Sequence, residues 1–405
     1  MTESLAVVHC EGWDPAERRI VGRLPVAVAQ QRDRAGEQYA FCLVEPESRR
    51  VVRVGEIAWA AGFARLSFVD ALGRRERVVE YRVLDHRLFR LNSRQWTYDT
   101  PDQAEFDDSA AYSSKSHRPD GRSEYATKVT GDRGGMFYHQ PAVDVAELFS
   151  EVPRLPDWAT FAEVPPGVAL VLEDPAEEFA EPPWRPATPL AADGIETAFV
   201  PGRRWKLNDR TVTTDVVQAG TARLPSGQVV AAEPSCLRED LNPFKISVPP
   251  GDYPVELGII RFDDDPAHVR VTAARLVVSE EPVATWEPAL EEGEDPRLLG
   301  QDEYYGFGVD AGTGSFFDAT ALPAFERILD WETDEAALLE DIIGARTVVI
   351  PDPESGATLV AYASGWGDGS YPTWIGRTAS GEVACFVSDM LILRHCAPVA
   401  EEVLN

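Results

Sequence analysis

The chain has little of what usually announces chemistry. Among 405 residues there are five cysteines and six histidines. Cys10, Cys42, Cys236, Cys385 and Cys396 are odd in number, widely spaced and form no CxxC pair, which excludes a zinc ribbon and supplies no disulfide framework. They read as buried thiols of a reducing compartment. His9, His86, His117, His139, His268 and His395 contain no HxH, HxxxH or HExxH arrangement, so the ordinary zinc hydrolases drop out. His9-Cys10 and His395-Cys396 are sequence neighbours, and neighbours on a strand point to opposite faces, so packing is expected of them rather than a thiolate-imidazole pair. A GxSxG elbow and a dinucleotide GxGxxG are also missing. No uncharged apolar stretch approaches membrane-spanning length, and the opening MTESLAVVHCEGWD lacks the basic start and apolar core of a signal peptide. The expected location is cytoplasmic, with no membrane partner.

Basic residues are the next scarcity. The chain carries 38 Lys and Arg against 68 Asp and Glu, a formal charge of −30. Residues 1–150 hold 21 against 23, and residues 151–405 hold 17 against 45. The second part repels phosphate backbones, so no nucleic acid is expected to bind through it. The pairs Arg18-Arg19, Arg49-Arg50 and Arg74-Arg75 fall at turns, where they read as solvated strand ends.

What is abundant is punctuation. Thirty-one prolines and thirty glycines interrupt the apolar runs at a cadence of short strands and turns. The fold class expected is mainly β (α+β): a small N-terminal antiparallel sheet or barrel and a larger β-rich C-terminal domain with one or two helices. Residues 1–104 read as the N-terminal domain, through RIVGRLPVAVAQ, QYAFCLVE, RRVVRVGEIAWA, ARLSFVD, RERVVEYRVL and HRLFRLN. Residues 105–190 read as a loop and a Pro/Glu-rich linker, because 101–135 lose both periodicity and hydrophobicity; a short helix is expected at Val143 to Phe149. Residues 191–405 form the second domain, in which LPAFERILDWETDEAALLEDIIG has helical spacing.

Four stretches carry a resemblance: NPFKISVPPGDYPVELGIIRF (Asn242 to Phe262), RVTAARLVVS (Arg270 to Ser279), YGFGVDAGTGSFFDA (Tyr305 to Ala319) and SGWGDGSYPTWIGRTASGEVACFVSDMLIL (Ser364 to Leu393). In their order and uncommon composition they resemble the bacterial family known as the domain of unknown function 4241. The resemblance covers roughly half the chain and implies a domain but no reaction or cofactor. One departure is Glu233-Pro234, where the family pattern leads one to expect Asp-Pro.

GVDAGTGSFFDA invites comparison with the phosphate loop of the actin, Hsp70 and sugar-kinase fold, whose glycines admit backbone N–H groups to phosphate. Its position argues otherwise: too little chain follows Asp310 to build the two lobes that fold needs. A strand closing in a Gly turn is the plainer reading. In SGWGDGSYP, Gly365, Gly367 and Gly369 permit restricted backbone conformations and Asp368 caps its own turn. Trp366 and Tyr371 exceed what a hairpin needs, and aromatics beside such a loop can wall a small-molecule pocket. The ligand-binding candidates are therefore Asp310, Gly312, Thr313, Trp366, Asp368 and Tyr371. Asp310, Asp368 and Glu256, with Asp318, are candidate carboxylates for acid/base work or for a hard divalent ion. FDDDPAH (Phe262 to His268) reads as an acidic hairpin tip.

Three functions fit this inventory. The first is a binding or interaction protein with a Gly/Asp/Trp-lined cleft, its partner a protein or a small molecule. The second is a metal-assisted hydrolase using clustered carboxylates, whose oxygen ligands suit magnesium or calcium, and it requires Asp310, Asp368 and Glu256 to converge. The third is an acidic accessory or immunity-like protein masking a basic partner.

Overall fold

The computed structural model describes residues 4–129, 135–330, 333–342 and 344–399. It is β-rich, 46% strand and 12% helix, and divides into two compact units, Met1–Ala187 and Thr188–Asn405.

In the first unit a meander runs from Tyr39–Val44 through Val51–Ala58, Phe63–Val69, Arg75–Leu84, Arg87–Thr97, Ala111–His117 and Ser123–Lys128 to Met136–Gln140, each strand pairing with the next. Ser4–Asp14 pairs antiparallel with Tyr39–Val44 and parallel with Ala169–Leu172. The sheet of this unit has twelve strands, against the six segments read as strands in residues 1–104. Alternation does its usual work: Phe41, Leu43, Leu66 and Val79 enter a core centred on Trp158, which is fully buried and stacks on Phe41 at 4.6 Å.

Three expectations need correction here. RIVGRLPVAVAQ is not one strand: Arg19–Arg23 is strand, Pro25 stands before the helix Val26–Ala35, and Gly36, at φ 74°, ends it. Proline's fixed φ suits a helix start, and this outweighs the β-branched Val26 and Val28. Residues 101–135 are not a bare loop, since AYSSKSH and SEYATK pair in register from Tyr112↔Lys128 to His117↔Ser123. Most of their side chains are only partly buried, so there was no apolar face for periodicity to reveal. Residues 105–187 accordingly belong to the first unit. Residues 130–134 of that stretch lie outside the described residues. The expected short helix is one turn, Val145–Leu148, capped by Asp144.

The second unit is layered. A nine-stranded sheet includes Thr285–Pro288, Gly369–Arg377, Val383–Asp389, Asp265–Val277, Gly251–Phe262 and Arg210–Leu224 in that spatial order, with Gly306–Val309 added against Gly369–Arg377. A four-stranded sheet, ordered Val229–Ala232, Thr313–Asp318, Thr358–Ala363 and Thr347–Pro351, shares a core with it through Val255, Leu257, Phe316, Val360 and Tyr362. The small sheet's other face packs Val230, Phe317 and Ile350 with Leu322 and Phe325 of the helix Leu322–Ile328. The long helix expected from LPAFERILDWETDEAALLEDIIG is instead this helix, a turn at Asp334–Ala337 and a 3-10 turn at Leu338–Asp341. Leu329, just past its end, is still buried in that core, so covering the small sheet takes the place of extending the helix. Trp331, Glu332 and Ile343 are outside the described residues. Among the described residues no helix is long and apolar enough to cross a membrane.

Candidate functional site

Strand register brings the two glycine-bearing loops together. Gly306–Val309 runs antiparallel to Gly369–Arg377, with Val309 opposite Gly369. The chain leaves this last rung at Asp310 on one side and enters it from Asp368 on the other, so these acids flank the same rung. A second pairing closes the other side, because Thr313 lies opposite Ala363 and the Ser364 N–H donates to the Gly312 carbonyl at 2.9 Å. The loops 310–312 and 364–368 are therefore held side by side by two sheets.

Each loop is fixed by its own polar contacts. The Asp310 and Ala311 N–H groups donate to the two carboxylate oxygens of buried Glu233, at 2.9 and 2.5 Å. An acid before Pro234 thus has a structural task, performed here by glutamate. In the second loop the Gly367 carbonyl accepts from the Ser364 hydroxyl at 2.8 Å and from the Tyr371 hydroxyl at 2.7 Å. Tyr371 is buried, and its hydroxyl holds the loop through this bond. Gly365 adopts φ 69°, and a Cβ there would stand 2.9 Å from Met390 Cβ; side chains are excluded both by conformation and by space.

Beside the loops lies a shallow cavity of about 210 Å³, lined by Arg270, Val271, Gly312, Ile342, Gly344, Ala363 and the Gly365–Gly367 segment. Trp366 is 54% exposed. Its ring meets Phe262 and His268 edge-on, each at 6.5 Å, and the Arg270 guanidinium lies 5.2 Å from its centroid. His268 stacks on Phe262 at 4.2 Å. Burial, with the nearby charges of Arg270 and Arg210, lowers the His268 pKa below its ordinary value. The acidic tip predicted at FDDDPAH is the turn between Gly251–Phe262 and Asp265–Val277; its Asp263 and Asp264 pair with Arg204 and Arg210.

The sequence candidates separate into groups. Asp310, Gly312, Trp366 and Asp368 are brought together, with both aspartates exposed. Thr313 is buried beneath them. Glu256 is engaged elsewhere, by Arg275 across the strand pair and by Gln218 Nε2 at 2.9 Å. Asp318 is fully buried and accepts from Ser226, Gly227 and Thr320. Burial pushes its carboxyl pKa up, but the hydrogen bonds from Thr320 and Ser226 outweigh this and hold it below the usual value. Among the described residues no group of three or more His, Cys, Asp or Glu side chains could hold a metal ion. Cys236 is exposed and Cys396 half-buried, contrary to the expectation that all five thiols are enclosed. Arg270 and Glu233 were missed by sequence reasoning. Arg270 opens a recognised stretch, RVTAARLVVS, and the alternation of that strand was the available signal that it faces away from the Val271 side.

Fold and site together define a mainly β protein whose distinctive loops sit where two sheets of its second unit meet. Residues 222–388 match the family described as "Protein of unknown function (DUF4241)". That segment contains Arg270, Asp310, Trp366 and Asp368. No curated protein matches the chain, and no solved structure does.

Proposed function

We propose that the second unit is a ligand-binding module whose site is the cavity between the 310–312 and 364–368 loops, with Trp366 as its wall. The observation that supports this reading most is the half-exposed Trp366 beside a cavity whose loops are anchored from two sheets. A large aromatic left in water on a rigid frame adds little to folding but offers a ligand apolar area at low entropic cost. The hydrolase reading has less support, since Glu256 is already paired with Arg275 and Asp310 and Asp368 are exposed. A cytoplasmic location is part of the same proposal and rests on the free cysteines.

A thermal-shift screen of small molecules on the intact protein tests the reading. Ligands of this site should raise the melting temperature of the wild type, by mass action, and not that of Trp366→Ala. If every stabilising compound acts equally on both proteins, the site lies elsewhere.

A further inference from the structure

We infer that this cavity recognises an oxyanion, a carboxylate or phosphate group of a small ligand, with Arg270 as its charged anchor. The inference rests on the cavity being a ligand site and goes beyond it by naming the ligand's chemistry.

The setting makes Arg270 unusual. Residues 188–405 hold 15 Lys and Arg against 37 Asp and Glu. Nine other arginines of this unit, from Arg204 to Arg394, meet a carboxylate within 4 Å. Among the described residues Arg203, Arg270 and Arg327 have no such partner, and of these three it is Arg270 that lines the cavity. Its guanidinium donates to the neighbouring Val269 carbonyl at 2.9 Å and lies near the Trp366 ring. A guanidinium presents five N–H donors in a fixed fork, so most of its capacity is free, and it faces a cavity it helps to line.

The rest of the lining suits the same chemistry. Gly312, Gly344, Gly365 and Gly367 all have left-handed φ, from 64° to 108°. Among the described residues the N–H groups of Gly365, Trp366 and Asp368 donate to no protein acceptor, while that of Gly367 donates to the Ser364 carbonyl at 3.2 Å. Left-handed turns of this kind expose successive backbone N–H groups, a common way to cradle an anion without a second positive side chain. The two carboxylates nearby, Asp310 and Asp368, are exposed and do not line the cavity. Water and salt screen them, whereas a hydrogen-bonded oxyanion on Arg270 makes direct, charge-assisted contacts. The cavity of about 210 Å³ has room for the oxyanion group of a small molecule.

The test uses the full chain labelled with ¹⁵N-glycine and tryptophan, titrated with inorganic phosphate and, separately, with acetate, while amide resonances are followed and affinity is measured by calorimetry. We expect saturable shifts at Gly365, Trp366 and Gly367, an affinity about tenfold or more weaker in Arg270→Gln, and partial retention in Arg270→Lys, which keeps the charge but not the fork. A response to phosphate alone assigns a phosphate-bearing ligand; a response to acetate as well assigns a site open to carboxylates. If neither anion moves these resonances while neutral or cationic compounds from the thermal screen do, the ligand site stands and its anionic character is wrong. If no compound moves them, both readings fall. Unchanged affinity in Arg270→Gln, or in Arg270→Ala should the glutamine variant not fold, overturns the role given to Arg270.

Discussion

The two units both bury polar atoms without a hydrogen-bond partner, Trp205 Nε1 and Thr313 Oγ1 among them in the second, but they differ in how their unsatisfied groups bear on pH and on the surface. In the first, His9 is fully buried and neither ring nitrogen has a hydrogen-bond partner. Burial, only partly offset by Asp33 and Asp174, lowers its pKa to about 4. His117 in the same unit is also buried and lowered to about 4, by burial and then by Lys115 and Arg90. The second unit also leaves Arg270, with most of its donors free, and the half-exposed Trp366 at the surface beside a cavity. The contrast separates two meanings of an unsatisfied group. Enclosed, it makes stability depend on pH; on a rigid rim it costs the fold little and is available to something else.

The comparison is sharpest for a core residue. Trp158→Ala empties the centre of the first unit, where Trp158 touches Phe41, Tyr39 and Phe161. It should cost about 3 to 5 kcal/mol in chemical denaturation. A loss under about 1 kcal/mol would show that this core is not organised around the indole.

Next comes acid. An unfolded histidine takes its proton near pH 6.5 and folded His9 near 4, so the contribution of His9 is complete above pH 6.5 and is lost as pH falls towards 4. The loss reaches about 3 kcal/mol. Glu291 in the second unit runs the other way. Burial, with the Glu294 charge, raises its pKa from 4.5 to about 7, so its contribution is complete below pH 4.5 and disappears as pH rises through 7. Hydrogen exchange on the intact chain, corrected for intrinsic rates, should show Ser4–Asp14 losing protection between pH 7 and 4.5 more than Val383–Asp389. Equal losses in both units would break the comparison.

A smaller effect isolates the packing of the loop frame. Gly365 and Gly194 both have left-handed φ, but a Cβ at Gly194 meets nothing within 4 Å while one at Gly365 meets Met390 at 2.9 Å. Both alanine variants carry the conformational cost of about 1 to 2 kcal/mol, and Gly365→Ala should lose about 1 kcal/mol more through overpacking. Denaturation midpoints of the pair measure the difference; identical values would mean that the 364–368 loop yields freely and is no frame.

The legible parts of this molecule were those with a period or an unusual composition. Alternation in RERVVEYRVL marked a strand, and the glycine and aromatic content of SGWGDGSYP marked the loop that lies beside the 310–312 loop. Register was not legible: nothing local says that Val309 faces Gly369, and it is this rung that makes neighbours of Asp310 and Asp368. Polar strands such as SEYATK escaped notice because pairing, not burial of one face, holds them in place. The partner of Glu256 was illegible for a related reason, since Arg275 is set beside it by cross-strand register. Arg270 was hidden by the charge of its surroundings. In so acidic a chain each arginine looks neutralised until the structure shows which of them lack a carboxylate and which of those lines a cavity.

The last and smallest effect concerns Trp366. Its ring is more exposed than buried, and its contacts are edges of Phe262 and His268 at 6.5 Å and a guanidinium at 5.2 Å. Removing it forfeits weak aromatic and cation–π contacts of about 0.5 to 1 kcal/mol and opens no enclosed void, so Trp366→Ala should melt within about 1 kcal/mol of wild type. Set against the loss expected for Trp158, this makes the two indoles a matched pair: one supports a core, the other a surface. The same Trp366→Ala protein should lose the stabilisation that ligands of the cavity give the wild type, measured by thermal shift under one condition. A Trp366→Ala variant as damaged as Trp158→Ala would mean that the indole is folded into the unit's support, and the cavity beside it would then be a by-product of packing rather than a site.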